Sequence, residues 1–171
     1  IAHESIADHS PNPAWIHGGA MRSEANNFPG RDEVNPQASR ECAADLWEQA
    51  GITNPREEID VAELYVPFSW YEPMWLESLG FCDRGDGWKM VESGATHIDG
   101  GDLPVNCSGG VLSSNPIGAS GMIRFAEAAL QVRGMAGDHQ VKDAQKAVGH
   151  AYGGGAQYFA MWVVGADKPT N

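Results

Sequence analysis

The run IDVAELYV, residues 59–66, carries apolar side chains on both sides of a two-residue alternation. A strand of that kind is covered on both faces, which places it centrally in a sheet with helices above and below. Elsewhere the period changes. In ASRECAADLWEQAG, Ala43, Leu46, Trp47 and Ala50 recur at helical spacing, with Gly51 as the stop. Ser69-Trp70-Tyr71-Glu72 reads as an S-x-x-E capping box that opens a second helix. Met74, Trp75, Leu76 and Leu79 supply its apolar face and Gly80 ends it. MIRFAEAALQVRG gives a third helix, with Ile123, Ala126 and Leu130 on one stripe.

Strand signals frame these helices. AWIHGGAM makes a short strand ending in glycines, and SEANNFPGRDEVNP is a long loop. KAVGHAY and QYFAMWVVG are strand-like runs joined by Gly153-Gly154-Gly155, a hairpin signal. Two glycine-rich stretches remain. DRGDGWKMVESGATHIDGGDLPVN is expected to form loops with a small extended element, and SGGVLSSNPIGASG a second loop. The order of elements predicts an α/β fold, a layered mixed sheet with helices on both faces and an antiparallel final pair. Residues 1–13, polar and with two prolines, read as a linker or domain edge, and residues 14–171 as one domain.

Charge narrows the partners. The net charge is −12, so nucleic acid and acidic membrane surfaces are poor partners. For the same reason, most contacts to the phosphates of a ligand such as coenzyme A are expected on another chain or domain. No apolar run is long enough to span a bilayer, and no signal-peptide pattern opens the chain. Cys42, Cys82 and Cys107 are odd in number, far apart and without a C-x-x-C pair, which points to a reducing, cytoplasmic setting and no structural zinc. His3, His9 and His17 lie near Asp8 at spacings that suit no metal template. The first residue is Ile1 rather than Met, as in a processed chain or a fragment.

Three blocks together resemble the C-terminal half of the thiolase superfamily, nearest the sterol-carrier-protein branch. They are IDVAELYVPFSW with LESLGFCDRGDGW, then LPVNCSGGVLSSNPIGASG, then HAYGGGAQYFAMWVVG. The departures carry the functional content. The family's N-E-A-F or H-D-C-F block, whose first residue serves the oxyanion hole, is here Tyr65-Val66-Pro67-Phe68. Its G-H-P block is Ser114-Asn115-Pro116, and its C-x-G cysteine falls around Ala151 in His150-Ala151-Tyr152-Gly153. A Claisen-type thiolase is therefore disfavoured. Tyrosines in both the first and last blocks resemble instead the thiolase-like aldolases of bacterial steroid side-chain degradation.

That resemblance implies retro-aldol cleavage of a β-hydroxyacyl-CoA to a ketone and a shorter acyl-CoA. It also implies a zinc-ribbon/OB-fold partner subunit, an N-terminal thiolase half, and a dimer or heterotetramer. Coenzyme A would enter only as part of the substrate, with no separate cofactor. Tyr65 and Tyr152 would share proton transfer, while Asn115 and His150 position the thioester or a water. Gly118, Ser120 and Gly154 are the positions given to coenzyme A. The sequence leaves open which tyrosine is base and which is acid.

Each of these residues also has a plainer reading. Tyrosines in apolar strands are commonly core residues whose hydroxyl has found one partner. Asn115-Pro116 is an ordinary turn pair, and His150 suits a satisfied core histidine. Tyr71 and Tyr158 are read as structural, His97 and His139 as loop residues facing solvent, and Cys107 as small packing rather than a nucleophile. The glycine loops lack G-K-[ST] and the G-x-G-x-x-G spacing, so a nucleotide site is not expected. Two rival functions remain. One is an acyltransferase using a cysteine of the other half, and the other a non-catalytic acyl-CoA-binding subunit of thiolase fold.

Overall fold

Strand β1 (Trp15–Ser23) pairs along its length with a strand more than 130 residues further on, and the sheet is built outward from that pairing. The computed structural model describes residues 1–25 and 29–170. After β1 come α1 (Gln37–Ala50), α2 (Pro55–Glu58), β2 (Val61–Glu63), α3 (Tyr71–Ser78), α4 (Gly87–Glu92) and α5 (Gly110–Ser113). The chain closes with α6 (Ser120–Val132), β3 (Lys146–Gly153) and β4 (Tyr158–Gly165). Of the long loop expected after β1, residues 26–28 lie outside the described residues.

The four strands lie in the order β1-β4-β3-β2, with β2 parallel to β3 and the other pairs antiparallel. This is the expected mixed sheet. Residues 104–106 run along the free side of β2: Ala62 N–H donates to the Pro104 carbonyl at 3.0 Å, and Asn106 N–H to the Ala62 carbonyl at 2.8 Å. β2 is thus flanked on both sides and fully buried, Glu63 included, as a central strand covered on both faces requires.

Alternation sorts the strands onto two faces. Ala62, Leu64, Val148, Phe159, Met161 and Val163 meet α1 and α3 through Cys42, Leu46, Trp47, Trp75 and Leu79. Val61, Ala147 and Val164 meet α6 through Ala128 and Val132. On that second side the helix comes very close. A Cβ at Gly121 would sit 2.7 Å from Ala151 Cβ, and one at Gly149 would sit 3.2 Å from Phe125 Cα, so glycine permits the approach from both sides.

Three local readings change. The capping box does not form: α3 starts at Tyr71 with Trp70 as its N-cap, and the Glu72 carboxyl bonds to Thr96 instead. The stretch read as loops contains α4, six residues whose pattern is too short to show a period. The stripe Ile123, Ala126, Leu130 is not the face that α6 buries. Ser120, Arg124, Ala128, Gln131 and Val132 are buried, while Ala126 is exposed. The hairpin stands as read, with Gly154, Gly155 and Ala156 at φ of 62°, 60° and 60° making the turn.

Candidate functional site

The parallel ladder between β2 and β3 ends at Glu63 and Gly149, and from there side chains take over the backbone's hydrogen bonds. Leu64 N–H donates to Asn106 Oδ1 at 2.7 Å, and Tyr65 N–H donates to His150 Nδ1 at 3.3 Å. The Tyr65 carbonyl accepts from Trp75 Nε1 at 2.8 Å. Asn106 has φ of 53°, a left-handed conformation that asparagine tolerates. Three side chains from three segments thus hold the backbone that leads out of β2.

The held residue carries a phenol at the carboxyl ends of two parallel strands, where open α/β sheets place ligands. Its ring meets the Tyr152 ring edge to face, centroids 5.3 Å apart at 74°. Its hydroxyl donates to Asn115 Oδ1 at 3.2 Å, and the same oxygen accepts from Ser120 Oγ at 2.6 Å. With Oδ1 engaged twice, Nδ2 is the atom of Asn115 left to donate to a ligand. Tyr65, Tyr152, Asn115, His150 and Ser120 therefore converge from β2, β3 and the start of α6. Gly118 lies exposed two residues before Ser120, and Gly154 lies in the exposed turn after Tyr152.

The environment separates the roles of these groups. Burial raises the Tyr152 phenol above its ordinary value, and a hydrogen bond with Tyr71 and the neighbouring phenols raise it further. Tyr152 enters any reaction protonated. Burial drives His150 down to about 3, so its ring is neutral at ordinary pH. Ser120, expected to touch coenzyme A, is buried and turned to Asn115, so its hydroxyl fixes the amide rather than facing a ligand. Burial pushes the Cys42 and Cys107 thiols up to about 12 and Cys82 to about 11, the wrong direction for nucleophiles. Cys107 is a packing residue, as read.

Beneath the site lies a polar cluster that sequence reasoning missed. Arg124 Nη1 donates to Glu63 Oε2 at 2.7 Å and to Ser108 Oγ at 2.9 Å. Ser108 donates through Oγ to Glu63 Oε2 at 2.8 Å and through its N–H to Oε1 at 3.1 Å. Burial raises the Glu63 carboxyl, while Arg124 and Ser108 pull it back. The cluster ties β2, the loop before α5 and α6 together under Tyr65 and Asn115. Glu63 and Arg124 are 61 residues apart, so no local signal joins them.

A ladder of rings leads from the surface to the pair of tyrosines. Phe68 and Trp70, 53% and 59% exposed, stack at 4.9 Å with planes 3° apart. Trp70 stacks on Tyr71 at 5.7 Å, and Tyr71 meets Tyr152 at 5.2 Å. Tyr71, read as structural, is part of this surface. Cavities of about 650 and 480 Å³ lie elsewhere, against residues 1–16, α6 and the loop after it, and touch neither tyrosine. No helix among the described residues is long and apolar enough to cross a membrane.

Comparison with known proteins places this geometry. The thiolase C-terminal domain-like family model matches residues 20–166. Human sterol carrier protein 2 is 39% identical over 135 residues, covering 78% of this chain and 24% of the relative. The acetyl-CoA acetyltransferase of Methanothermobacter thermautotrophicus is 33% identical over 149 residues, covering 86% of this chain and 38% of the relative. The chain thus spans roughly a quarter to two fifths of the relatives it matches. Among solved structures, the Ltp2-ChsH2(DUF35) aldolase superposes with a TM-score of 0.80 at 28% identity, over 96% of this chain and 42% of that one. The mixed sheet, the helices on both faces and these matches agree, and the chain belongs to the thiolase C-terminal domain-like family.

Proposed function

We propose that this chain carries the proton-transfer half of a thiolase-fold carbon–carbon lyase that cleaves a β-hydroxyacyl-CoA by a retro-aldol step. The observation that carries the reading is the pair of tyrosines in edge contact at the strand ends, with Tyr65 hydrogen-bonded to Asn115. The structural similarity to an aldolase supports it. In the reaction the Cα–Cβ bond breaks, its electron pair enters the thioester enolate, and the β-oxygen becomes a ketone. One proton must travel from the β-hydroxyl to the α-carbon. The balance closes with both phenols neutral: Tyr65 takes the β-hydroxyl proton as its own passes to Tyr152, and Tyr152 gives its proton to the α-carbon. A rotation of the Tyr65 hydroxyl from Asn115 toward Tyr152 completes the relay, so neither phenol ionises fully. Asn115 Nδ2 donates to the thioester oxygen as charge develops there.

The stacked Phe68 and Trp70 suit a broad, flat, apolar acyl group such as a steroid side chain with its rings. Met122 and Ala126, exposed on α6, give an apolar surface for an N-terminal thiolase half, which would also bring most coenzyme A contacts. A zinc-ribbon/OB-fold subunit would complete the assembly. The test is ketone release from a β-hydroxyacyl-CoA bearing a tertiary alcohol, with full-length protein and candidate partner. Tyr65→Phe and Tyr152→Phe should each lower kcat by about 10²- to 10⁴-fold. Near-wild-type cleavage by both folded variants would sink the proposal.

A further inference from the structure

We infer that His150 is a positioning residue: its Nδ1 holds the Tyr65 backbone at the end of β2 and so places the phenol between Tyr152 and Asn115. The role of the phenol rests on the function proposed above; the clamp itself rests on geometry alone. Past Glu63 the ladder to β3 offers no backbone partner, and the Tyr65 N–H would be buried unpaired without the imidazole. Because Nδ1 accepts that N–H, the proton of the neutral ring sits on Nε2. Nε2 is itself buried and without a hydrogen-bond partner. The fold therefore tolerates an unsatisfied ring N–H in order to satisfy a backbone N–H beside the reacting group.

Proton transfer by His150 does not fit this setting. The residue is 0% exposed, and its ring lies 5.1 Å from that of Trp75 and 6.0 Å from that of Phe159. A ring driven down to about 3 cannot take up a proton during turnover. Trp75 completes the arrangement, since its Nε1 holds the Tyr65 carbonyl while its ring packs on the imidazole. The Tyr65 peptide group on one side and carbonyl on the other are thus fixed by two side chains that touch each other.

Two substitutions separate the roles, because each amide mimics a different ring nitrogen. His150→Asn places an oxygen near the position of Nδ1, whereas His150→Gln carries its amide to the position of Nε2. In the full-length protein with its partner, His150→Asn should keep at least about tenfold more kcat than His150→Gln, with KM little changed. A displacement of about 1 Å at a reacting group costs about 10²-fold. Equal or greater activity of His150→Gln overturns the inference, because Nε2 would then be the working atom. A second readout needs neither turnover nor a variant that folds well. In wild-type protein with ring-¹⁵N-labelled histidine, His150 should appear as the Nε2–H tautomer at pH 7, with scalar coupling between Nδ1 and the Tyr65 amide nitrogen. An Nδ1–H tautomer or an imidazolium overturns the clamp. If wild-type protein cleaves no substrate, the proposed function falls, and the nitrogen spectrum still decides the clamp.

Discussion

The two faces of the sheet are packed by different rules. On the α1 and α3 side, large apolar side chains such as Leu46, Trp75, Leu76 and Phe159 fill the space with nearly no exposure. On the α6 side the helix turns Ser120, Arg124 and Gln131 inward and leaves Met122 and Ala126 outward. The first face is an ordinary core, fixed by area. The second is fixed by a buried ion pair and by glycines that let helix and strand nearly touch. Tyr65 stands at the seam, with its backbone held from the first face and its hydroxyl from the second. The site geometry thereby draws on both kinds of interaction.

The largest expected effects come from removing one anchor on either face. Trp75→Ala should cost about 3–5 kcal/mol of unfolding free energy as a buried aromatic truncation. Arg124→Ala should cost a similar amount, about 3–5 kcal/mol, because it leaves the Glu63 charge buried without its partner. Denaturant unfolding of the full-length protein measures both. The contrast sharpens when both members of each contact are changed. Replacing Glu63 and Arg124 together by Leu and Met should restore most of the loss, as apolar replacement of a buried pair does. No such rescue is expected at Trp75. A double variant as unstable as Arg124→Ala would mean that the second face also depends on area.

Acid should act chiefly through the first face. The His150 ring is neutral when folded, with a pKa of about 3, against 6.5 for a free imidazole. Between those values the unfolded chain binds a proton that the folded one does not, so stability falls as pH drops below 6.5. The slope from this group is about 1.4 kcal/mol per pH unit. Unfolding midpoints measured from pH 7 to 4 should show it, and His150→Asn should flatten the curve by that amount. An unchanged slope in the variant would assign the acid sensitivity to other groups.

The smallest effect on folding, and the most telling about assembly, lies on the outer stripe of α6. Met122→Ser with Ala126→Ser should change the unfolding free energy by only about 0.5 kcal/mol per site. The same pair should weaken association with the proposed N-terminal thiolase half, read by size-exclusion elution of the mixture. Unaltered association, with a large loss of stability, would reverse the assignment of the two faces of α6.

Much of the fold could be read from the chain because the patterns were long. The final hairpin shows as two apolar runs around three glycines, and α1 as fourteen residues with one periodic face and a glycine stop. Short elements were not legible: α4 is six residues whose apolar Met90 is buried while Trp88 and Val91 are exposed, and no period can emerge from that length. The Ser69–Glu72 signature failed because α3 begins at Tyr71 with Trp70 as its N-cap, which leaves Ser69 outside the helix. Periodicity also marked the stripe on α6 without revealing that Arg124, on the other side, is the buried residue. At the site, Tyr65, Tyr152 and Asn115 were visible only through the family blocks. Glu63, Ser108 and Asn106 act through contacts 42 to 61 residues apart, which no local pattern encodes.

The position of β4 has a consequence for how such a protein is made. It follows both β1 and β3 in sequence, yet it lies between them and pairs with both. Until residues 158–165 are present, β1 has no strand to pair with and Tyr152 has no paired strand beside it. Contacts of such long sequence separation form slowly and leave strand edges open in the meantime. Before β4 emerges, the sheet stays open between β1 and β3, and Tyr152 lacks the strand that packs Phe159 beside it.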